Sequence, residues 1–117
     1  MDEHRKSDRK RLIAFTPVYN KTTLLGYLGD LSMEGAMVIG EKPVEIDTQI
    51  TLVIDFPETP DFPARRVRIP ARVAWCRQEK KTQYFNTGFE FQKIDQLYKP
   101  FIEAILERYQ FKRESPA

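Results

Sequence analysis

The clearest pattern in the chain is a strict alternation of apolar and polar residues in "RRVRIPARVAWCR", residues 65–77. Every second residue from Val67 to Trp75 is apolar, while Arg66, Arg68 and Arg72 fall on the opposite face. A period of two is typical of a β-strand with one buried and one solvated face. The alternation therefore assigns Trp75 to the buried face.

Short apolar or alternating segments with similar strand signals cover most of the chain up to residue 94. They are 12–20, 22–32, 35–41, 47–57 and 83–94. Pro17 places the first of these strands at an edge or a bulge, because proline cannot donate to a strand ladder. The segment "PETPDFP" at 57–63 is predicted to be a loop, since it carries three prolines.

The period changes near the C-terminus, where apolar residues recur every four positions. Leu97, Phe101, Ile105 and Tyr109 form this stripe, which predicts an amphipathic helix over 95–112. Pro100 is compatible with the first turn of such a helix. A change from period two to period four indicates that the strands end before this segment begins.

Six short strands followed by one helix predict a mainly β fold, a six-stranded antiparallel β-barrel with one C-terminal α-helix packed outside it or across one opening. A chain of 117 residues suits one domain, here 1–113. Its predicted parts are a flexible N-terminal arm at 1–11, the barrel at 12–94, the helix at 95–112 and a frayed tail at 113–117.

Composition argues against a membrane protein and against a disulfide scaffold. The net charge is +2, and the chain has 41% hydrophobic and 31% charged residues. No run approaches the roughly 18 apolar residues of a membrane span, and the N-terminus has no apolar leader, so we expect a cytoplasmic protein. Cys76 is the only cysteine and is expected to be a half-buried strand residue.

The residues needed for catalysis or metal binding are missing from the sequence. His4 is the only histidine, and no cysteine or carboxylate cluster surrounds it, which argues against a zinc site and against a histidine-based triad. Neither a glycine-rich dinucleotide loop nor a P-loop is present. We therefore expect a non-enzymatic protein without a metal or a cofactor.

The segment "GDLSMEGA" has the form Asp-x-Ser-x-x-Gly, and two interpretations of it stay open. Asp, Ser and Gly are typical turn residues, so an ordinary turn explains the pattern. Alternatively, Asp30 and Ser32 point the same way from a strand end. A carboxylate so placed can accept hydrogen bonds from the N1–H and N2–H₂ edge of guanine. Gly35, lacking Cβ, would let a ligand approach the backbone.

Arg5 and Arg9 lie four residues apart in "RKSDRKRLIAF", where a solvated basic tail is the simplest explanation. Guanidinium groups also bind phosphate bidentately, read the O6/N7 edge of guanine and stack on bases. Together with a guanine-edge acceptor on the barrel, two such arginines on an arm indicate a guanine nucleotide with accessible phosphates.

Arg5-x-x-x-Arg9 followed about twenty residues later by Asp30-x-Ser32-x-x-Gly35 resembles the paired signature of PilZ domains, bacterial receptors for cyclic di-GMP. "RVAWCR" and "NTGFEF" fall where that family has its late barrel strands. The resemblance implies that the cyclic di-GMP ligand contacts the residues of this signature. It also suggests three secondary contacts, namely Lys6, Arg11 and Trp75, the last as a stacking face.

The resemblance further implies that the arm becomes ordered over the ligand. Since no output domain is recognisable, the signal is expected to pass to a partner protein, which the sequence does not identify. Where members binding two stacked ligands often carry a further arginine, this chain has His4, so the stoichiometry stays open, as does the oligomeric state. A ligand-free PilZ-like interaction module is the alternative. A third reading, single-stranded nucleic acid on the face of Arg66, Arg68 and Arg72, is disfavoured because the aromatic residues mostly alternate inward.

Overall fold

The computed structural model describes the backbone of residues 10–11 and 16–110 and the side chains of residues 16–109. Its elements, in chain order, are β1 Lys10–Arg11, β2 Pro17–Asn20, β3 Thr23–Leu31, β4 Gly35–Gly40, β5 Gln49–Phe56, β6 Arg65–Gln78, β7 Phe85–Phe91, α1 Lys99–Arg108 and β8 Tyr109–Gln110. Five of the six predicted strands are found nearly whole. The first is found as β2, and residues 12–15 of its predicted range lie outside the described residues.

Strands β2 to β7 form a closed antiparallel barrel in the order β2-β3-β4-β7-β6-β5. The barrel closes because β2 pairs with β3 on one side and with β5 on the other. Pro17 lies at the start of β2, where it pairs with Tyr27 of β3, and the register of β2 shifts just after it. The predicted six-stranded antiparallel barrel with a C-terminal helix is thus confirmed.

The barrel core consists of the inward-facing residues of the alternating strands, because every second side chain points to the same face. In β6, Val67, Ile69, Ala71 and Val73 are all fully buried. In β5, the predicted inner face is buried from Leu52 onward. The segment 57–63 contains no strand, as its prolines predicted.

A β-bulge in β6 overturns the prediction that Trp75 faces the core. The register against β7 shifts between Val73 and Trp75, so that Ala74 is an extra residue. An extra residue moves the following side chains to the opposite faces. Trp75 therefore turns outward, and Cys76 turns toward the interior, where its Sγ lies 3.3 Å from the Oγ1 of the buried Thr87.

Helix α1 covers one end of the barrel. Ile102 and Ile105 are fully buried in the core, and Pro100 lies in the first turn as predicted. The ring of Phe101 packs edge-on against Phe56, at a centroid distance of 5.4 Å, and against Phe62, at 5.8 Å. The helix thus buries its apolar stripe on the end of β5 and on the following loop.

The helix is shorter than the predicted range 95–112. Its first residue is Lys99, and Leu97, assigned to the stripe by sequence, is 65% exposed before it. Tyr109 has an extended backbone, with φ −129° and ψ 152°, and belongs to β8. Tyr109 is nevertheless buried. The four-residue repeat in the sequence therefore predicted the burial of Tyr109 correctly and its backbone conformation wrongly.

Strand β8 pairs in parallel with β1, with Lys10 opposite Tyr109 and Arg11 opposite Gln110. Lys10 and Arg11 are the last two residues of the predicted arm at 1–11. The chain therefore passes beside the C-terminal end of α1 before it enters the barrel at β2.

The connections at the two ends of the barrel follow from the antiparallel pairing. Strands β2, β4 and β6 begin at the end where β3, β5 and β7 finish. Helix α1 follows β7, so it lies at this same end, together with the β3–β4 turn and the β5–β6 loop. The predicted site motif at 30–35 therefore lies near the place where the N-terminal segment enters the barrel.

Candidate functional site

Asp30 projects from the outer face of the barrel because of a second bulge. The register pairs Leu28 with Val38 and then Asp30 with Met37, which leaves Gly29 as the extra residue. A Cβ at Gly29 would lie 2.6 Å from the Cε of Met37, so the glycine lets that side chain cover the bulge. Asp30 is half-buried, and no hydrogen bond or ion pair to its carboxylate is found within the described part of the chain.

Ser32 builds the tight turn between β3 and β4. Its Oγ accepts hydrogen bonds from the amides of Glu34, at 3.2 Å, and of Gly35, at 3.3 Å. The amide of Ser32 also donates to the carbonyl oxygen of Gly35 at 2.9 Å. Ser32 is exposed, so the hydroxyl that fixes the turn also faces solvent beside Asp30.

Gly35 has a structural reason to be glycine that sequence reasoning did not anticipate. Its backbone is outside the left-handed region, and a Cβ built on it would overlap the carbonyl oxygen of Phe89 on β7. The close approach of β4 and β7 therefore requires glycine here. The clearance for a ligand at this position stays a prediction.

Trp75 forms an aromatic surface on the outside of the barrel. Its indole lies over Gly88 of β7, where any Cβ would overlap the ring. The guanidinium of Arg77 lies 5.0 Å from the ring centroid, a distance typical of a cation–π contact. Gly88 and Arg77 were not predicted as site residues. The only signal in the sequence was the arginine two residues after the tryptophan.

Trp75 and Asp30 occupy one row of outward-facing residues across four strands. The register pairs Asp30 with Met37, Met37 with Gly88, and Gly88 with Trp75. Asp30 and Trp75 lie three strands apart in the row, and at the usual distance between neighbouring strands their backbones are about 14 Å apart. The indole of Trp75 extends over Gly88 on the next strand, so it is closer to Asp30 by about the distance between two strands. A carboxylate acceptor and an aromatic side chain thus border the same outer surface.

The neighbouring row carries charges that are neutralised within the protein. Arg72 donates to Asp47 at 2.6 Å and to Glu90 at 2.8 Å, and Glu90 lies opposite Gly35. The hydrogen bonds to these two carboxylates raise the pKa of Arg72 above its ordinary value. This ion pair network holds β6, β7 and the β4–β5 loop together beside the outer row.

Arg66 is likewise paired, with Asp55 across β5 and β6, at 2.7 and 3.0 Å. The hydrogen bond from Arg66 lowers the pKa of the Asp55 carboxyl, against the opposing effect of its partial desolvation. Two of the three arginines proposed for a nucleic-acid face, Arg66 and Arg72, therefore have acidic partners. This pairing weakens the case for nucleic acid on that face.

Four of the predicted ligand contacts cannot be placed as side chains. Arg5, Lys6 and Arg9 lie outside the described residues, and only the backbone of Arg11 is described. Two described residues close to this segment, Lys10 and Thr16, have assigned backbone partners. Lys10 pairs with β8, and the carbonyl oxygen of Thr16 accepts a hydrogen bond from the amide of Leu28 at 2.9 Å, two residues before Asp30.

Other features of the described residues add no competing site. A shallow cavity on another side of the barrel contains none of the predicted contacts; it is lined by Pro17, Asp55, Phe56, Pro57, Ala64, Arg65 and Arg66. Within residues 10–11 and 16–110, no three His, Cys, Asp or Glu side chains are grouped so that they could hold a metal ion. Over that same part of the chain, no helix has the length and apolar character needed to cross a membrane.

The fold is a small closed six-stranded β-barrel that presents a carboxylate, a turn-forming serine and an aromatic side chain on one outer surface, which is a candidate ligand-binding surface. The family model of the PilZ domain matches residues 3–111, and the chain belongs to the PilZ family. PilZ domains are in general cyclic di-GMP-binding modules, and they are receptor domains rather than catalytic ones. Comparisons with curated proteins and with solved structures found no match.

Proposed function

We propose that this protein is a cyclic di-GMP receptor whose N-terminal arm orders over the ligand and thereby signals to a partner protein. The observation that carries the proposal is the carboxylate of Asp30, which has no partner among the described residues and lies in one outer row with the Trp75 indole. Asp30 lies toward the end of the barrel at which the chain from Arg5 and Arg9 enters. The membership in the PilZ family supports the identity of the ligand.

In the proposed complex, the barrel contacts one guanine, and the arm contacts phosphate and a guanine edge. Asp30 accepts hydrogen bonds from the N1–H and N2–H₂ groups of one guanine, and the exposed Ser32 hydroxyl and the Gly35 backbone lie beside that base. Arg5 and Arg9 bind phosphate and the guanine O6/N7 edge, because a guanidinium offers paired donors to both.

Three further residues extend this contact set. Trp75 stacks on a base once the guanidinium of Arg77, which lies over the indole at 5.0 Å from the ring centroid, moves aside to make room for it. Lys6 and Arg11 add positive charge near a ligand that carries two negative charges. Their contribution is expected to be smaller, since it does not depend on a fixed geometry.

The chain length between the described anchors allows the arm to reach this surface. Arg9 is covalently next to Lys10, which pairs with Tyr109 at the end of α1. From Arg9 to Thr16 the chain can span at most about 24 Å when extended. Arg9 is therefore tethered close to the end of the barrel that carries Asp30.

The energetics fit a receptor of moderate affinity. A hydrogen bond to a charged group contributes about 1.5–3 kcal/mol, and ordering of the arm opposes part of the gain from several such bonds. We expect a dissociation constant in the micromolar range, which corresponds to about −8 kcal/mol.

Ordering of the arm is tested by hydrogen exchange of the full chain with and without cyclic di-GMP. We expect slower exchange in residues 1–11 when the ligand is bound, since amides that become ordered are protected. The β2–β3 turn, at the far end of the barrel and away from the proposed contacts, serves as an internal control. If the ligand binds and exchange in residues 1–11 is unchanged, the proposed arm mechanism is wrong.

Trp75→Ala is expected to weaken cyclic di-GMP binding by about 10-fold, because stacking of a base on an aromatic ring contributes about 1–3 kcal/mol. Trp75→Phe should lose less, since a smaller aromatic face remains. Trp75 is the only tryptophan, so its fluorescence should change when the intact protein is titrated. Tyr84→Ala removes another exposed aromatic side chain, outside the row, and should leave the affinity unchanged; equal affinity in Trp75→Ala would exclude the stacking role.

A further inference from the structure

Strand β1 has a single described strand partner, β8, and this ladder is only two residues long. Two residue pairs contribute little stability by themselves, because ordering the backbone of each residue costs conformational entropy that so few hydrogen bonds barely offset. The position of β1, and with it of the adjacent Arg9, therefore depends on how firmly β8 is held.

Asp61 holds β8 through both oxygens of its carboxylate. Oδ2 accepts a hydrogen bond from the hydroxyl of Tyr109 at 3.0 Å, and Oδ1 pairs with Arg108 at 2.9 Å. Tyr109 is the first residue of β8, and Arg108 is the last residue of α1. One carboxylate thus fixes the junction at which the helix ends and the strand begins.

The β5–β6 loop presents Asp61 in a defined geometry. The Oγ1 of Thr59 accepts hydrogen bonds from the amides of Asp61, at 3.2 Å, and of Phe62, at 3.0 Å. The ring of Phe62 packs against Tyr109 at a centroid distance of 6.5 Å and against Phe101 at 5.8 Å. The loop is therefore anchored on the helix and the strand that its carboxylate binds.

We propose that Asp61 is a positioning residue for cyclic di-GMP binding, which acts by holding β8 in place to pair with β1. This inference rests on the proposed function, because it assumes that Arg9 binds the ligand. Both oxygens of the Asp61 carboxylate are already occupied by Tyr109 and Arg108, so the proposed role is positioning and does not include direct contact with the ligand.

Removing the carboxylate should weaken ligand binding through the arm. Asp61→Ala is expected to lower the affinity for cyclic di-GMP about 3- to 10-fold, and Tyr109→Phe, which removes only the hydroxyl, about 2- to 5-fold. Both variants should also speed hydrogen exchange at residues 10, 11 and 110 in the absence of ligand. Asp55→Ala removes another carboxylate–arginine pair of the barrel and should leave the affinity unchanged.

A double-mutant cycle separates this role from a general loss of stability. In an Arg9→Ala background, Asp61→Ala should cause a clearly smaller loss of affinity, because one of the two main arm contacts on which it acts is already absent. In an Asp30→Ala background, the full effect should persist. Calorimetric titration with cyclic di-GMP measures the affinities of the intact chain, the three single variants and the two double variants.

The outcomes distinguish this inference from the proposed function. If the intact chain binds cyclic di-GMP and Asp61→Ala and Tyr109→Phe bind it equally well, the positioning role is wrong and the receptor function stands. If the losses from Asp61→Ala and Arg9→Ala add fully, Asp61 does not act through Arg9 and the inference in this form is wrong. If the intact chain does not bind the ligand, the proposed function fails and this inference fails with it.

Discussion

Asp30→Ala is expected to weaken cyclic di-GMP binding by about 100-fold and to leave the thermal unfolding midpoint nearly unchanged. The carboxylate has no partner to lose among the described residues, so its removal does not disturb the fold. In the complex, it would accept two hydrogen bonds from guanine, and losing both is expected to cost about 3 kcal/mol. Calorimetric titration measures the affinity, and a thermal melt of the same sample measures the stability.

Two further variants test whether the loss of affinity is specific to the carboxylate of Asp30. Asp30→Asn keeps the shape but replaces one acceptor oxygen by a donor that would face the guanine donors, so it should lose nearly as much affinity. Asp55→Ala removes a carboxylate from the adjoining part of the barrel and should bind normally. A variant of Asp30 that binds as tightly as the intact chain would exclude the proposed guanine contact.

Gly35→Ala is expected to destabilise the barrel by about 2 kcal/mol, which lowers the unfolding midpoint by roughly 8 °C for a domain of this size. The reason is that the added Cβ overlaps the carbonyl oxygen of Phe89, and two paired strands cannot separate locally without losing hydrogen bonds. Thermal or urea-induced unfolding measures the effect.

Gly29→Ala is the matched control for this prediction. Its added Cβ would meet only side-chain atoms, those of Met37 at 2.6 Å and of Ile39 at 2.9 and 3.2 Å, which can shift more easily than a backbone carbonyl, so the loss of stability should be smaller. If Gly35→Ala unfolds at the same temperature as the intact protein but binds cyclic di-GMP weakly, the glycine serves ligand approach rather than strand packing.

The barrel could be predicted from the sequence because its strands have one buried and one solvated face. The alternation from Val67 to Val73 gave the correct inner face of β6, and the shift to a period of four marked the helix. Trp75 was assigned to the wrong face because the bulge at Ala74 depends on pairing with β7, which the sequence of β6 alone does not reveal. The helix end was missed because β8 forms through pairing with β1, and the paired residues Lys10 and Tyr109 lie 99 positions apart in the sequence.

The candidate site was predictable in its residue types but not in its arrangement. The spacing of Asp30 and Ser32 placed both at a strand end, and the structure has both there. The bulge that turns Asp30 outward, and the row that joins it to Trp75, depend on the registers of three strand pairs. The packing reason for Gly35 also depends on a neighbouring strand that is distant in sequence.

The most direct test of the account is calorimetric titration of the intact chain, Arg9→Ala, Asp30→Ala and Arg68→Ala with cyclic di-GMP. Arg68→Ala removes one positive charge from the barrel outside the proposed site and controls for net charge. We predict micromolar binding by the intact chain and by Arg68→Ala, and a large loss of affinity in Arg9→Ala and Asp30→Ala. The account is contradicted if the intact chain does not bind cyclic di-GMP, or if it binds and both site variants bind equally well.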